Sequence, residues 1–453
     1  MNGENPLGRD FRFLELIRFA LPTICVMVFM GLYTIVDTIF VARLVGEDAL
    51  ASINIACPVI NVTVGLASML ATGGSAIVAR KMGAGRGERA RRDFTLVVSA
   101  GATLGTAIAL FGRRILPSLV RALGASETLF PYCAQYLGVL LAFAPACVLQ
   151  VLFQNLIVTA GRPKIGMALA LCSGGLNIAL DAVFMGPMRL GVAGAALGTG
   201  FGYLLPVLVG IVFFSTSRGP LRFARPVLDV RVLTECLANG SSEMVGQLAA
   251  AITTFLFNAS MMRLVGETGV AAITIIIFSQ FLLSSLHFGF SMGVAPVISY
   301  NYGSGNIERL KRILRTSFMF AAAVSVCVWA CSTLFGDSLV GVFSPPGTAL
   351  RELAGNGFRL FAVSFLFSGV NIFVSAAFTA LSDGRTSALV SFLRTFGFLA
   401  LFVAILPKIL GMTGVWLAIP AAEFLTFAVS AFFIRRLGRR LAEGRTSGRE
   451  SAA

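Results

Sequence analysis

Twelve predominantly apolar stretches, each about 20 residues or longer, recur along this 453-residue chain. They centre on 16–40, 51–78, 94–112, 130–159, 164–185, 191–215, 238–262, 269–298, 314–336, 354–380, 386–406 and 413–434. At a rise of 1.5 Å per residue, about 20 such residues cross the roughly 30 Å of bilayer hydrocarbon. Backbone polar groups at that depth must be paired within the protein, and runs of this length pair them as helices. The pattern therefore predicts an all-α polytopic membrane protein with twelve transmembrane helices. With 57% hydrophobic and 13% charged residues and a mean hydropathy of +0.86, no soluble domain of this size fits. The leader MNGENPLGRDFRFLEL is long and partly acidic, unlike a cleavable signal.

The net charge of +15 raises the question of nucleic acid, and the placement of the basic residues answers it. With the N-terminus inside, the cytoplasmic segments hold 26 Lys and Arg and the opposite ones 9, with Arg394 left inside a helix. That asymmetry predicts a protein of the inner (cytoplasmic) membrane with both termini in the cytoplasm, and no nucleic-acid partner. The linker with Arg113, Arg114 and Arg121 runs against the trend. The glycines of GGSAIVARKMGAGRGERARR follow no strand, so that segment reads as a basic linker and not a phosphate loop. The eight cysteines lack metal-ligand spacing and read as small apolar fillers.

Shifted by 220 residues, the chain overlies itself. Arg43–Arg92 meets Arg263–Arg312 without a gap and 15 of the 50 positions are identical, RLVGE on RLVGE and GAGRGER on GSGNIER among them. At an offset of 223, Gly161 and Arg162 meet Gly384 and Arg385, and GVAGA meets GVWLA. The chain thus divides into two homologous six-helix halves, related by an axis along the membrane normal, with a ligand site expected between them. The expected divisions are a cytoplasmic N-terminus (1–15), an N-lobe (16–215), a cytoplasmic inter-lobe linker (216–237), a C-lobe (238–435) and a basic cytoplasmic tail (436–453).

Polar groups inside the spans are the candidates for function, because a charge at the bilayer centre costs about 2.5–3.5 kcal/mol even on the lenient insertion scale. Asp181 has Asn177 one turn before it, so the two share a helix face. The competing reading is a helix-end aspartate that reaches back to the interface. Counted from the outer helix ends, Asp37, Asp181 and Thr199 lie about 9, 9 and 12 Å deep, in one layer. Two carboxylates brought within a few ångströms would repel when both are charged, so a proton and a cation would compete for the pair. Pro22 in the first span frees a backbone carbonyl and permits a kink, static or moving.

The second half offers Glu243, Glu423, Arg394 and the single histidine, His287. Glu423 with Arg394 is expected as a structural ion pair, against a substrate-facing role for either. His287 is expected to be packed. Gln150 and Gln154 lie one turn apart in the fourth span, where they would line a central cavity or pack between helices.

The motifs VDTIFVARLVGEDALAS, the paired GxGxxER linkers, NIALD followed by GVAGAALGT, GSSEMVGQ, FSMGVAPVISYNYGSGN and GVWLAIPAAE occur in an order that resembles the multidrug and toxic compound extrusion (MATE) transporters of the bacterial branch, over residues 12–436. The resemblance implies twelve helices in two six-helix lobes, and an N-lobe cation site (H⁺ or Na⁺) carried over to Asp37, Asn177, Asp181 and Thr199. It also implies a hinge role at Pro22. No C-lobe acid matches the paired acids of some members, and the last acid near the end of span 10, Asp383, lies at its cytoplasmic end.

The expected function is an ion-coupled antiporter, using H⁺ or Na⁺, that exports amphipathic organic cations by alternating access. It would act as a monomer in the bilayer, without a cofactor. With 39 Phe and 14 Met against 2 Trp and 6 Tyr, a repacking apolar wall that attracts cations is expected, although lipid-facing surface also takes up Phe. The alternative is a flippase or exporter of a lipid-linked or other amphiphilic metabolite, which would need several basic residues inside helices. An intramembrane enzyme lacks any HExxH or second histidine.

Overall fold

The structure, a computed structural model, describes residues 6–217, 219–344 and 347–443. The expected leader before residue 6 and the basic tail beyond 443 lie outside the described residues, as does Arg218 of the linker. Among the described residues, eleven helices are long and apolar enough to cross a membrane, and a bent pair supplies the twelfth span. In chain order they are α1 (Phe13–Leu44), α2 (Glu47–Gly83), α3 (Gly87–Ala122), α4 (Phe130–Ala142 with Ala144–Thr159), α5 (Pro163–Met185) and α6 (Gly191–Thr216) in the first lobe. The second lobe holds α7 (Val230–Leu264), α8 (Glu267–Gly303), α9 (Ile307–Phe343), α10 (Ala349–Ala380), α11 (Gly384–Leu410) and α12 (Met412–Ala442).

Several helices outrun their apolar cores because polar residues continue them beyond the hydrocarbon. The core at 94–112 becomes α3 from Gly87, with Arg92 bonded to Glu88 one turn back at 2.6 Å. Helix starts are fixed by side chains: Asp229 accepts from the amides of Arg231 (3.0 Å) and Val232 (3.2 Å) at α7, and Asn306 accepts from the amide of Arg309 (3.0 Å) at α9. The span expected as one helix over 130–159 is broken at Phe143 and bent by 53°. Pro145 has no N–H to close the turn there, and Gly105 of α3 packs against its backbone. In α11 the turns over Leu393–Gly397 widen to a π-helix, which holds Arg394.

The lobes meet through α1 and α2 on one side and α7 and α8 on the other. A Cβ on Gly83 would overlap the carbonyl of Tyr300, and one on Gly303 would overlap the carbonyl of Arg80. Moving each residue of one contact by 220, forward in the first lobe and back in the second, generates the other. Likewise Gly73 is pressed against Gly240, and Gly293 against Ala20. The interface is thus self-complementary, as a two-fold between equivalent surfaces requires. These crossings lie toward the end of the molecule that carries the N-terminus and the inter-lobe linker. The N-terminal residues cover the seam there: Leu7 is fully buried, Asn301 Nδ2 donates to its carbonyl at 3.2 Å, Arg309 donates to the Gly8 carbonyl, and Arg312 holds both oxygens of Asp10 at 2.8 and 2.9 Å.

Candidate cation site

Helix α6 begins GVAGAALGTGFG, and its small residues let it lie directly against α5. A Cβ on Gly198 would overlap the Asp181 carboxylate, and one on Gly202 would come within 3.2 Å of Asn177 Cβ. Ser173 Oγ closes the same seam by donating to the Gly202 carbonyl at 2.6 Å. Helix α1 packs on α5 from the other side, with the Phe29 ring filling the space over Gly174. Three helices are thereby drawn together where α1 carries Asp37, α5 carries Asn177 and Asp181, and α6 carries Thr199.

All four residues meet. Asp181 is fully buried and Asn177 is 2% exposed. The Asp37 and Asp181 carboxylates lie close enough for their charges to act on each other. Asn177 Nδ2 donates to Thr199 Oγ1 at 3.3 Å. Among the described residues no donor bonds Asp37 Oδ1, either oxygen of Asp181, or Asn177 Oδ1, although all four atoms are buried. Buried oxygens are normally paired, and four unpaired ones converging from two helices form a ligand set of the kind that holds a proton or a hard cation. Carboxylate, amide and hydroxyl oxygens fit Na⁺ as cargo, and the facing carboxylates equally fit a shared H⁺.

Three of the six tyrosines surround this layer, and no motif in the sequence singled them out. Tyr33, one turn before Asp37, lies close to Thr199 and to both carboxylates. Tyr136 of α4 is 6% exposed and lies near both carboxylates, and Tyr203 of α6 lines a small cavity with Cys147. The i, i+4 spacing of Tyr33 to Asp37 was the available signal. Pro22 is buried inside an unbroken α1, at the crossing where Gly289 and Gly293 of α8 press on residues 20–24. Gln150 is buried and Gln154 half-buried on the second segment of α4, which packs among α2, α3 and α6.

The second lobe repeats the backbone but not this chemistry. The repeat offsets place Phe257, Ala400, Ala404 and Ala422 where the first lobe has Asp37, Asn177, Asp181 and Thr199. Its own polar cluster is built elsewhere. Arg394 Nε donates to Glu423 Oε1 at 2.9 Å, and Asn371 Nδ2 donates to Glu423 Oε2 at 2.7 Å and to its carbonyl at 2.9 Å. Ser430 Oγ donates to Asn371 Oδ1 at 3.0 Å, and the guanidinium lies 5.9 Å from the Phe288 ring. Side-chain exposures of 12% and 4% make Arg394–Glu423 a buried, mutually neutralised pair. Asn371, which orients Glu423, was not apparent in the sequence. Half-buried Glu243 faces the Arg394 charge. His287 is 2% exposed, with Nε2 3.3 Å from Ser325 Oγ and its ring against Gly369.

The MatE family model matches residues 22–183 and again 244–406, once in each lobe. The multidrug export protein MepA of Staphylococcus aureus (strain MRSA252) is 25% identical over 445 residues, covering 95% of both chains. MepA of Staphylococcus saprophyticus is 24% identical over 435 residues, again covering 95% of both. Among solved structures, an outward-facing multidrug resistance MATE transporter of the MOP superfamily superposes with a TM-score of 0.91 at 24% identity, over 98% of this chain and 99% of that one. A MOP superfamily transporter from Pyrococcus furiosus, described as having a binding pocket of reversed polarity, gives 0.90 at 24% identity, over 98% and 99%. Two matches of one family model, each falling in one of two lobes that share a backbone, are what an internally duplicated transporter presents, and the chain belongs to the MatE family, whose members are membrane transporters and not enzymes.

Proposed function

We propose that this protein is an ion-coupled multidrug exporter: an antiporter that loads H⁺ or Na⁺ between Asp37 and Asp181, with Asn177 and Thr199 as supporting ligands, and expels amphipathic organic cations. The observation that carries the reading is the facing carboxylate pair with its unpaired buried oxygens, present in one lobe and replaced by Phe257 and Ala404 in the other. Such a pair binds one cation at a time, so a drug cation held near it and the coupling ion would each weaken the other's binding. That mutual exclusion is what exchange requires. The names of the MepA relatives agree with drug export.

In this reading the units 16–215 and 238–435 rock about the glycine-lined crossings of α1 with α8 and α2 with α7, and Pro22 gives α1 its bend. The basic end faces the cytoplasm, following the 26 to 9 division of Lys and Arg, and the seal at that end suits a state that faces outward. The protein works as a monomer without a cofactor. Gln150 and Gln154 act in packing, Glu243 presents an acid of the second lobe to the cavity, and Arg394 with Glu423 is structural. A flippase for a pyrophosphate-linked lipid fits less well, because the basic residue that lies deep within a span, Arg394, is already paired with Glu423.

The test is dye transport by everted vesicles, where export from the cytoplasmic face appears as uptake into the lumen, under imposed pH or sodium gradients. Uptake driven by one gradient and abolished by its collapse supports the reading. Transport indifferent to both gradients refutes the coupling.

A further inference from the structure

Next to the join between the lobes, away from the candidate cation site, lies a cleft of about 690 Å³ lined by Glu88, Arg91 and Arg92 of α3 and by the segment 222–225. Four guanidinium groups face one carboxylate, and Glu88 is taken by Arg92 at 2.6 Å. Arg91 uses its Nε on the Pro220 carbonyl at 3.1 Å. Among the described residues Arg222 and Arg225 have no ion-pair partner, and the segment that carries them lies at the surface.

These two arginines are held in place by their neighbours. Leu221 is 1% exposed. The Phe223 ring lies 5.3 Å from Phe94 and 6.3 Å from Phe214, and the Ala224 amide donates to Thr95 Oγ1 at 3.0 Å. Leu221 is buried and Phe223 is packed on Phe94 and Phe214, whereas Arg222 and Arg225 are exposed. A binding group whose backbone is already fixed loses little freedom on capture of a ligand.

We propose that this cleft binds the phosphate of an anionic phospholipid headgroup at the membrane surface. The shared chemistry is a phosphate diester or monoester under planar, forked donors. A lipid is favoured over a free phosphate by the neighbouring apolar residues of the same segment: Val227, Leu228 and Val230 are 52, 78 and 63% exposed. An apolar strip beside a basic cleft, at the end of membrane-crossing helices, matches an acyl chain beneath its headgroup. The proposal goes beyond the transport reading and does not depend on which ion is coupled.

The experiment is native mass spectrometry of the purified full-length protein in neutral detergent. It is titrated with phosphatidylglycerol, phosphatidylcholine or soluble glycerol 3-phosphate. Phosphatidylglycerol should be retained about tenfold more tightly than phosphatidylcholine. The Arg222→Gln/Arg225→Gln variant should lose essentially all of that tenfold preference, since each surface arginine is worth about fivefold. Arg435→Gln/Arg436→Gln, which removes two charges near the end of α12, should leave it nearly unchanged. Equal loss in both double variants, or no loss in the linker variant, overturns the site. Displacement of the lipid by glycerol 3-phosphate at matched concentration overturns the lipid assignment in favour of a free-phosphate site.

Discussion

Gly198→Ala adds one methyl group at the point where α6 passes the Asp181 carboxylate, and the overlap is with a fully buried side chain. Two effects on stability oppose each other. Forcing an extra methyl into a packed interior costs about 1–3 kcal/mol, while replacing glycine in a helix returns about 1 kcal/mol. The net change is at most about 2 kcal/mol, small enough for the protein to insert and fold. The effect on the site is larger, because the methyl must push the carboxylate away from Asp37 or move α6 and Thr199 with it. Disturbing the groups that orient ion ligands costs typically about 10- to 100-fold in ion affinity or activity.

Gly175→Ala is the matched control, since a Cβ there meets nothing within 4 Å and should leave efflux unchanged. The assay is gradient-driven dye uptake by everted vesicles, alongside thermal unfolding and expression level for each variant. If Gly198→Ala folds and keeps the wild-type rate under the coupling gradient, the Asp37–Asp181 geometry is not what sets coupling, and the site assignment fails.

Asp37→Asn and Asp181→Asn keep size and hydrogen bonding but remove the titrating charge, so each should stop gradient-driven efflux at normal expression; a variant that retains most of its rate marks that residue as structural. Pro22→Ala restores a backbone N–H inside α1 and should slow turnover without loss of insertion, as measured by efflux rate per protein in membranes. In the second lobe, Arg394→Met leaves Glu423 buried without its partner and should destabilise by about 3–5 kcal/mol, whereas Arg394→Met with Glu423→Leu should recover most of that loss on thermal unfolding. A matched pair of dyes, one a quaternary ammonium and one neutral, should separate in efflux from expressing cells, and equal export of both would remove the cation preference.

The apolar runs and the 220-residue repeat were enough to read twelve spans in two lobes, because both depend on local composition and spacing. The acids, the amide and the threonine of the candidate cation layer could be picked out for the same reason: polar groups inside apolar runs stand out, and depth comes from counting residues. What escaped depends on which helix faces which. Tyr136 and Tyr203 are ordinary aromatic residues until α4 and α6 bring them under Asp37. Asn371 is an amide in an apolar helix until α12 places Glu423 against it. Gly198 belongs to a run of small residues, any of which could have been the close contact. The break in α4 at Phe143 was written in the proline two residues on, yet prolines inside α1, α2, α8 and α12 leave those helices unbroken, so the residue alone does not decide.

The placement of Asp37 on α1 constrains how ion binding could reach the lobe interface. Asp37 and Pro22 lie about 22 Å apart along one helix, the first in the cation layer and the second at the crossing held by Gly289 and Gly293 of α8. Asp181 and Thr199 sit on α5 and α6, whose packing is directed chiefly within their own lobe, so loading them alone moves nothing against the second lobe. Of the helices that carry the site, α1 is the one that packs extensively on the second lobe, so a signal carried along it requires that α1 change shape between its two ends. A proline at the seam supplies a position where the helix lacks a hydrogen bond and bends at low cost. The same geometry suggests a test that needs no crosslink. Thr23→Val removes the bond from Thr23 Oγ1 to the Ala20 carbonyl (2.7 Å) beside the proline, which should alter the turnover rate while leaving the ion dependence of efflux at equilibrium unchanged. A shift in ion affinity with no change in rate would place Thr23 in the site's energetics and break the argument that α1 is a lever.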